Sequence, residues 1–177
     1  MKGLHIHDAR HSDREAIQEV TLSAYQEYAA LMPSHWEGYR QSILTTLADV
    51  KPAEQIVAEQ EGVIVGTVLL YPAGTVFTLP NGIPVTLAWP EVRLLGVAPA
   101  TRGQGIGAAL VRECIRRARQ SGATVLTLHT TDQMRVAMHM YERMGFVRAP
   151  ELDFHSAKDV TIKGYRFSLD DTAPSVA

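Results

Sequence analysis

The middle of the chain carries the run Val97-Ala98-Pro99-Ala100-Thr101-Arg102-Gly103-Gln104-Gly105-Ile106-Gly107. The segment before it, Glu91–Val97, predicts a strand, and the segment after it, from about Gly105 to Gln120, predicts a helix. The first amides of a helix have no intrahelical acceptor, and together with the helix dipole they favour an anion. Because glycine has no Cβ, the three glycines of the run let a phosphate group approach the backbone. The run therefore predicts a phosphate-binding turn between a strand and a helix.

Two other glycine-rich patterns fit this run less well. The spacing Gly103-x-Gly105-x-x-Ala108 satisfies the dinucleotide-binding pattern, but that pattern also has an acidic residue at the end of the next strand. Here the next predicted strand, Val125 to Leu128, ends at His129. A P-loop is excluded because no Gly-Lys-Ser or Gly-Lys-Thr follows the glycines. The glycines alone leave the class of ligand open.

The run also resembles the motif of the GNAT acetyltransferase family, in which Gln/Arg-x-x-Gly-x-Gly/Ala follows a strand. Arg102-x-x-Gly105-x-Gly107 matches that order fully. A second stretch, Ala137-x-x-x-Tyr141-Glu142-Arg143-x-Gly145-Phe146, resembles the last helix of the family and the start of the strand that follows. Two ordered motifs are more specific than one, and the resemblance is strong over residues 91–147.

The sequence departs from the family pattern in two places. Met134 stands where many members carry an asparagine that helps to hold the cofactor. Residues 72–90 are longer than the minimal family connection, so the acceptor pocket does not follow from the resemblance.

The resemblance implies a mixed α/β (α+β) architecture, the GNAT acyl-CoA N-acyltransferase fold, with a central mixed twisted sheet flanked by helices. We expect a single domain over residues 1–169 and a flexible tail over residues 170–177. Further expected elements surround the central run. They are strands at Leu4–Ile6, Gln55–Glu59, Val63–Tyr71, Val76–Thr78, Val85–Leu87, Val125–His129 and Tyr165–Leu169, and helices after a Ser12–Glu15 capping box, at Ser34–Leu47 and at Met134–Met144, the last ended by Gly145.

The resemblance also implies acetyl-CoA as co-substrate and direct attack of an amine in a ternary complex, without a metal. The residues expected to bind the cofactor are Leu95, Gly96, Val97, Arg102, Gly103, Gln104, Gly105, Ile106 and Gly107. Tyr141 is expected beside the sulfur, where it would donate a proton or a hydrogen bond to the leaving thiolate. Glu91 is the candidate general base, since some members carry a catalytic glutamate at this strand position. Backbone amides near residues 95–97 would stabilise the oxyanion.

Each of these assignments has an alternative. Glu91 is also explained as a charged residue at a strand edge balanced by Arg93, with water as the base. Tyr141 is also explained as a core residue, because it continues an apolar stripe with Ala137 and Met144. A non-catalytic acyl-CoA-binding or regulatory domain, or a transferase of a longer acyl group, would carry the same cofactor-binding loop. Trp36, Tyr39 and Trp89 are candidates for the acceptor pocket or for the core.

The composition disfavours several classes of binding partner. A length of 177 residues with 46% hydrophobic and 20% charged residues fits one globular domain. The net charge of -2 disfavours nucleic acid, and no segment reads as a membrane span or signal peptide. The single cysteine, Cys114, fits a reducing compartment, so we expect a cytoplasmic protein. Cys114 falls on the apolar face of the predicted helix, so we expect a packed thiol. The amine acceptor stays unidentified, and a homodimer is left open. A metal site at His5, His7 and His11 is disfavoured.

Overall fold

The structure, a computed structural model, describes residues 3–78, 82–155 and 161–170. The elements that these residues form are the strands β1 (Leu4–Asp8), β2 (Glu54–Gln60), β3 (Val63–Tyr71), β4 (Val76–Thr78), β5 (Pro84–Thr86), β6 (Glu91–Val97), β7 (Val125–Thr130), β8 (Val147–Arg148), β9 (Phe154–His155) and β10 (Thr161–Ser168), and the helices α1 (Arg14–Tyr25), α2 (Trp36–Ala48), α3 (Ile106–Gln120) and α4 (Arg135–Arg143). Short 3-10 turns cover His11–Asp13, Gln26–Ala30, Pro99–Thr101 and Pro150–Leu152.

The strands form one large mixed sheet and one small hairpin. The order in the large sheet is β1-β2-β3-β6-β7-β10-β8, with β9 added to β10, and β4 pairs with β5 separately. Most of its pairs are antiparallel, whereas β6 and β7 are parallel. The predicted mixed α/β fold is confirmed. By its internal contacts the chain divides into two compact units, residues 1–70 with 93–113 and residues 71–92 with 114–177.

Two glycines in the first unit allow helices to pack closely on strands. A Cβ on Gly96 of β6 would lie 3.4 Å from the Thr21 Cα and 3.4 Å from the Ala24 Cβ of α1. A Cβ on Gly66 of β3 would lie 3.0 Å from Ile106 Cγ2 in the first turn of α3. Glycine at these positions therefore sets the close approach of α1 and of the start of α3 to the strands.

In the second unit, α4 ends in a Schellman motif. Gly145 has φ of 97°, its N–H donates to the Glu142 carbonyl at 3.0 Å, and the Phe146 N–H donates to the Tyr141 carbonyl at 3.0 Å. The left-handed conformation costs glycine little. The prediction that Gly145 ends this helix is confirmed.

Several predicted local features differ from the structure. The Ser12–Glu15 capping box is wrong, because α1 begins at Arg14 after a 3-10 turn and its N-cap makes no side-chain capping hydrogen bond. Instead, the Asp13 carboxylate accepts a hydrogen bond from the Arg10 N–H at 2.7 Å. The short strand β8 follows Phe146, where the resemblance implies the start of a strand, whereas β9 has no counterpart in the prediction. The second hairpin is confirmed by β4 and β5, although residues 79–81 of its predicted turn lie outside the described residues, as do residues 171–177 of the predicted tail.

Candidate active site

The glycine loop of the first unit leads into the start of α3. Gly103 and Gly105 have φ of 77° and 79°, a region that favours glycine. The first hydrogen bond of α3 runs from the Ala109 N–H to the Gly105 carbonyl at 3.0 Å. The N–H groups of residues 106–108 come before that bond, so they have no acceptor within the helix. Helix-start amides without an intrahelical acceptor are the groups that favour an anion.

The side chain of Arg102 holds this loop against the end of α1 and the turn after it. Its Nη2 donates to the Ala24 carbonyl at 2.9 Å, and its Nη1 donates to the Glu27 carboxylate at 2.8 Å. The Arg102 and Glu27 side chains are 40% and 48% exposed, so the ion pair itself contributes about 0–1 kcal/mol. Because its guanidinium makes these two hydrogen bonds, Arg102 fixes the glycine loop to α1 and to the turn that follows α1.

An aromatic cluster follows the same end of α1. The ring of Tyr25 lies edge-on to the rings of Tyr28 and Tyr39, with centroids 5.9 Å and 6.0 Å away, and Trp36 lies 6.3 Å from Tyr39. Burial and then the Glu27 carboxylate raise the pKa of Tyr28 to about 12. Burial also raises the pKa of Tyr39 to about 12. Trp36 and Tyr39, named above as candidate acceptor-pocket residues, therefore pack against other rings.

Strand β6 carries a backbone irregularity just before the predicted oxyanion amides. Leu94 has φ of 48°, which is uncommon for a non-glycine residue and costs about 1–2 kcal/mol. Leu95, Gly96 and Val97 follow directly, so the irregularity sets the direction of the backbone where these amides lie. Strain of this kind persists where the surroundings impose it, often at functional sites.

Glu91, the predicted base, lies at the start of β6 in the second unit and is 2% exposed. It stands opposite Thr127 in the parallel pairing of β6 with β7. One of its carboxylate oxygens, Oε2, lies 3.2 Å from Nδ1 of His129. A buried carboxylate is costly unless it is paired, and His129 supplies the partner. Glu91 is therefore a buried carboxylate with a histidine beside it.

His129 is held from its other side as well. Its Nε2 lies 2.9 Å from the Leu152 carbonyl, and its ring meets the Phe154 ring edge-on with centroids 5.1 Å apart. A carbonyl oxygen can only accept a hydrogen bond, so Nε2 carries a proton. The ring orientation is fixed by these contacts and by Glu91 together.

The loop that presents the Leu152 carbonyl is fastened by a two-bond ion pair. Arg148 donates to both oxygens of Asp153, at 2.9 Å and 2.8 Å, and the Gly164 N–H donates to Asp153 Oδ1 at 2.8 Å. The hydrogen bonds from Arg148 and then from Gly164 hold the pKa of the Asp153 carboxyl below its ordinary value. This pairing holds the loop that contains Leu152, and with it the carbonyl that His129 contacts.

Tyr141, the predicted proton donor, is on α4 and is 6% exposed. Its ring meets the Phe146 ring edge-on with centroids 5.8 Å apart, which is the apolar contact that accompanies the Schellman motif. The packing that explains Tyr141 as a core residue is thus present, and it also fixes the ring for any catalytic use of the hydroxyl.

The predicted site residues fall into two groups. Residues 95–97 and 102–107 belong to the first unit, whereas Glu91 and Tyr141 belong to the second. The sequence analysis does not single out His129 as a site residue; it names His129 only as the non-acidic residue that ends the predicted strand. The sequence shows only that His129 is a polar residue at the end of a predicted strand. Its position on the same face as Thr127, and hence near Glu91, follows from the register of β6 with β7.

The described residues contain no group of three side chains that could hold a metal ion. Of the three N-terminal histidines, His7 has its Nε2 3.2 Å from the Glu59 carboxylate. None of the helices among the described residues is long and apolar enough to cross a membrane. Cys114 is a buried thiol, as predicted.

Solved structures with a similar fold identify the fold of this chain. A GNAT-family acetyltransferase of Staphylococcus aureus Mu50 superposes with a TM-score of 0.69 at 17% identity, covering 95% of this chain and 100% of that one. A GNAT-family acetyltransferase of Brucella melitensis, solved in complex with acetyl-CoA, superposes with a TM-score of 0.61 at 22% identity, covering 98% and 93%. At these identities the likeness shows that the chain has the GNAT fold.

The sequence comparison gives the family. The family model described as "Acetyltransferase (GNAT) family" matches residues 17–146, and the chain belongs to this family. A mycothiol acetyltransferase of Cellulomonas flavigena is 32% identical over 99 residues, which are 55% of this chain and 27% of that protein. The match thus covers about a quarter of that relative's length.

Proposed function

We propose that this chain is an acetyl-CoA-dependent N-acetyltransferase that transfers the acetyl group to an amine by direct attack in a ternary complex. Membership of the GNAT family supports this proposal, and so does a neighbour of the same fold solved in complex with acetyl-CoA. The observation that carries it is the glycine loop before α3. The N–H groups of residues 106–108 precede the first helical hydrogen bond and so have no acceptor within the helix.

In this proposal the residues from Gly103 to Gly107 bind the pyrophosphate of acetyl-CoA through backbone N–H groups. The loop fits such a group because Gly103 has no neighbour within 4 Å of the place where a Cβ would stand. Arg102 contributes by holding the loop on α1, and the amides of Leu95, Gly96 and Val97 are proposed for the thioester carbonyl and its oxyanion. When bound, acetyl-CoA supplies the activated acyl group.

Glu91 is proposed to take the proton that the acceptor amine must lose. A lysine-like amine has a pKa near 10.4, so making it neutral at pH 7 costs about 4.6 kcal/mol. A general base recovers part of that cost by accepting the proton as the new bond forms. The burial of Glu91 and its contact with His129 support this role, because they keep the carboxylate in one place.

Tyr141 is proposed to donate a hydrogen bond to the leaving thiolate. Full transfer from a phenol with a pKa near 10 to a thiolate near 8.5 is uphill by about 2 kcal/mol. A hydrogen bond that strengthens as negative charge develops on the sulfur avoids that cost. The ring is held by Phe146, which supports a fixed hydroxyl position.

The remaining proposals concern the whole protein. We place residues 1–169 in one domain, because β6 and α3 each supply residues to both compact units. We place the protein in the cytoplasm, which the single buried Cys114 supports. The acceptor is an amine of unassigned class, no metal takes part, and neither nucleic acid nor a membrane is a partner.

Two measurements test the proposal. Calorimetry with acetyl-CoA should detect binding, and no binding at millimolar acetyl-CoA would reject it. Free thiol should then appear with at least one amine in a screen of polyamines, amino acids, aminoglycosides and protein amines. Binding without thiol release across that screen would favour a non-catalytic acyl-CoA-binding domain, and tighter binding of a longer thioester would favour a longer acyl group.

A further inference from the structure

The contact between Glu91 and His129 calls for a proton that an ionised carboxylate and a neutral ring would not supply. Nε2 of His129 faces a carbonyl and carries hydrogen, so a neutral ring would present a lone pair at Nδ1. An ionised Glu91 would present lone pairs at Oε2, only 3.2 Å away. Two facing lone pairs repel each other, and the Nδ1 atom is itself buried from water. A proton between Nδ1 and Oε2 removes this conflict.

We propose that His129 is the positioning residue of the Glu91 base, with its Nδ1 holding a proton against the Glu91 carboxylate. This inference rests on the proposed function. An imidazolium at this place balances the charge of a carboxylate that is 2% exposed and directs one of its oxygens towards the ring. The other carboxylate oxygen then accepts the proton of the amine, and His129 itself touches neither substrate nor cofactor.

The charges around His129 agree with a protonated ring. Glu91 faces it from β6, and Asp153 lies close enough that a charged His129 contributes to lowering the Asp153 pKa. Among the described residues, Arg148 pairs with the Asp153 carboxylate through two hydrogen bonds. On β10 the register partner of His129 is Gly164, which adds no charge.

The first test reads the proton directly and needs no turnover. In protein labelled with ¹⁵N at histidine, the signal of His129 is identified by its loss in His129→Asn. We expect both ring nitrogens of His129 to be protonated at pH 7 in the wild type, and Nδ1 to lose its proton at that pH in Glu91→Gln. An unprotonated Nδ1 in the wild type at pH 7 would overturn the proposal.

The second test compares two amide replacements. The amide nitrogen of asparagine can occupy the place of Nδ1, whereas that of glutamine can occupy the place of Nε2. His129→Asn therefore keeps a neutral donor towards Glu91, and His129→Gln keeps one towards the Leu152 carbonyl. His11→Gln is the control, because His11 is exposed.

The readout is kcat/KM for acetyl transfer against pH. Without the positive charge, the ionised carboxylate is less favoured, so the ascending limb should move to higher pH by about one to three units, with activity recovered at alkaline pH. We expect the larger shift in His129→Gln, the smaller in His129→Asn and none in His11→Gln. A uniform loss with an unmoved limb would mean that His129 is only structural and would overturn the proposal. Absence of turnover in the wild type would reject the proposed function, while the ring-nitrogen signals would still decide whether the proton is shared.

Discussion

Gly103 and Gly122 provide a matched pair for locating the pyrophosphate. Gly103 precedes α3 and Gly122 follows it, their φ angles are 77° and 78°, and neither would place a Cβ within 4 Å of another atom. Alanine at either position therefore meets the same backbone strain and no clash within the protein. We expect each Ala variant to lose about 1 kcal/mol of unfolding free energy, or about 2–4 °C in Tm.

Acetyl-CoA binding should separate the two variants. The helix between them has 15 residues, which at 1.5 Å each is about 22 Å, so only Gly103 lies at the proposed anion site. A Cβ on Gly103 would stand in the space that the phosphates are proposed to occupy and would weaken one or two amide contacts. At up to about 2 kcal/mol for each contact, we expect calorimetry to show a Kd about 10- to 100-fold higher for Gly103→Ala.

Gly122→Ala should bind acetyl-CoA as the wild type does. Equal Kd values for the two variants, at equal loss of stability, would show that the pyrophosphate does not approach Gly103. The loop could then still form an anion site at the helix start, but the proposed contact through Gly103 would be wrong.

Three further changes have definite expected results. Tyr141→Phe should lower turnover by about 10²- to 10⁴-fold with an unchanged Tm and acetyl-CoA Kd, and retention of more than about a third of the turnover would remove Tyr141 from the mechanism. Gly66→Ala should cost about 1–3 kcal/mol in urea unfolding, because its Cβ would lie 3.0 Å from Ile106 Cγ2; an unchanged midpoint would show that α3 can shift at no cost. Asp153→Asn should lower the free energy of unfolding at neutral pH. Because the pKa of Asp153 is lowered in the folded state, the difference in unfolding free energy from the wild type should shrink as the pH falls below the ordinary Asp value of 3.8. A constant difference from pH 7 to pH 3 would contradict this.

Local sequence signals predicted most of the elements because they depend on near neighbours. The β-branched run from Val63 to Tyr71 and the apolar periodicity of the mid-chain helix predicted strand and helix with bounds close to those observed. Gly145 predicted a helix end, since a left-handed residue is required there whatever surrounds it. The capping prediction failed because the Ser12 hydroxyl donates to the Asp13 carboxylate, and that carboxylate accepts the Arg10 N–H of the turn before α1.

The irregular position of β6 had no sequence signal. Leucine is unfavourable at φ of 48°, so nothing in the residue type at position 94 predicts a left-handed conformation. Such a conformation persists only where the surrounding structure imposes it, so it depends on the fold and not on the residue type. The use of Arg102 was hidden for the same reason, because its partners Ala24 and Glu27 are far away along the chain.

The amino-acid sequence by itself determined the strand, the glycine loop and the helix start from Glu91 to Gln120, together with the family, since each depends on residues adjacent in the chain. The tertiary structure alone decided the partner of Glu91. His129 lies near it because β6 and β7 pair in parallel with Glu91 opposite Thr127, and a shift of one residue in that register would turn His129 to the other face of the sheet. Register is set by the packing of whole strands, and so the environment of the buried carboxylate is a property of the fold.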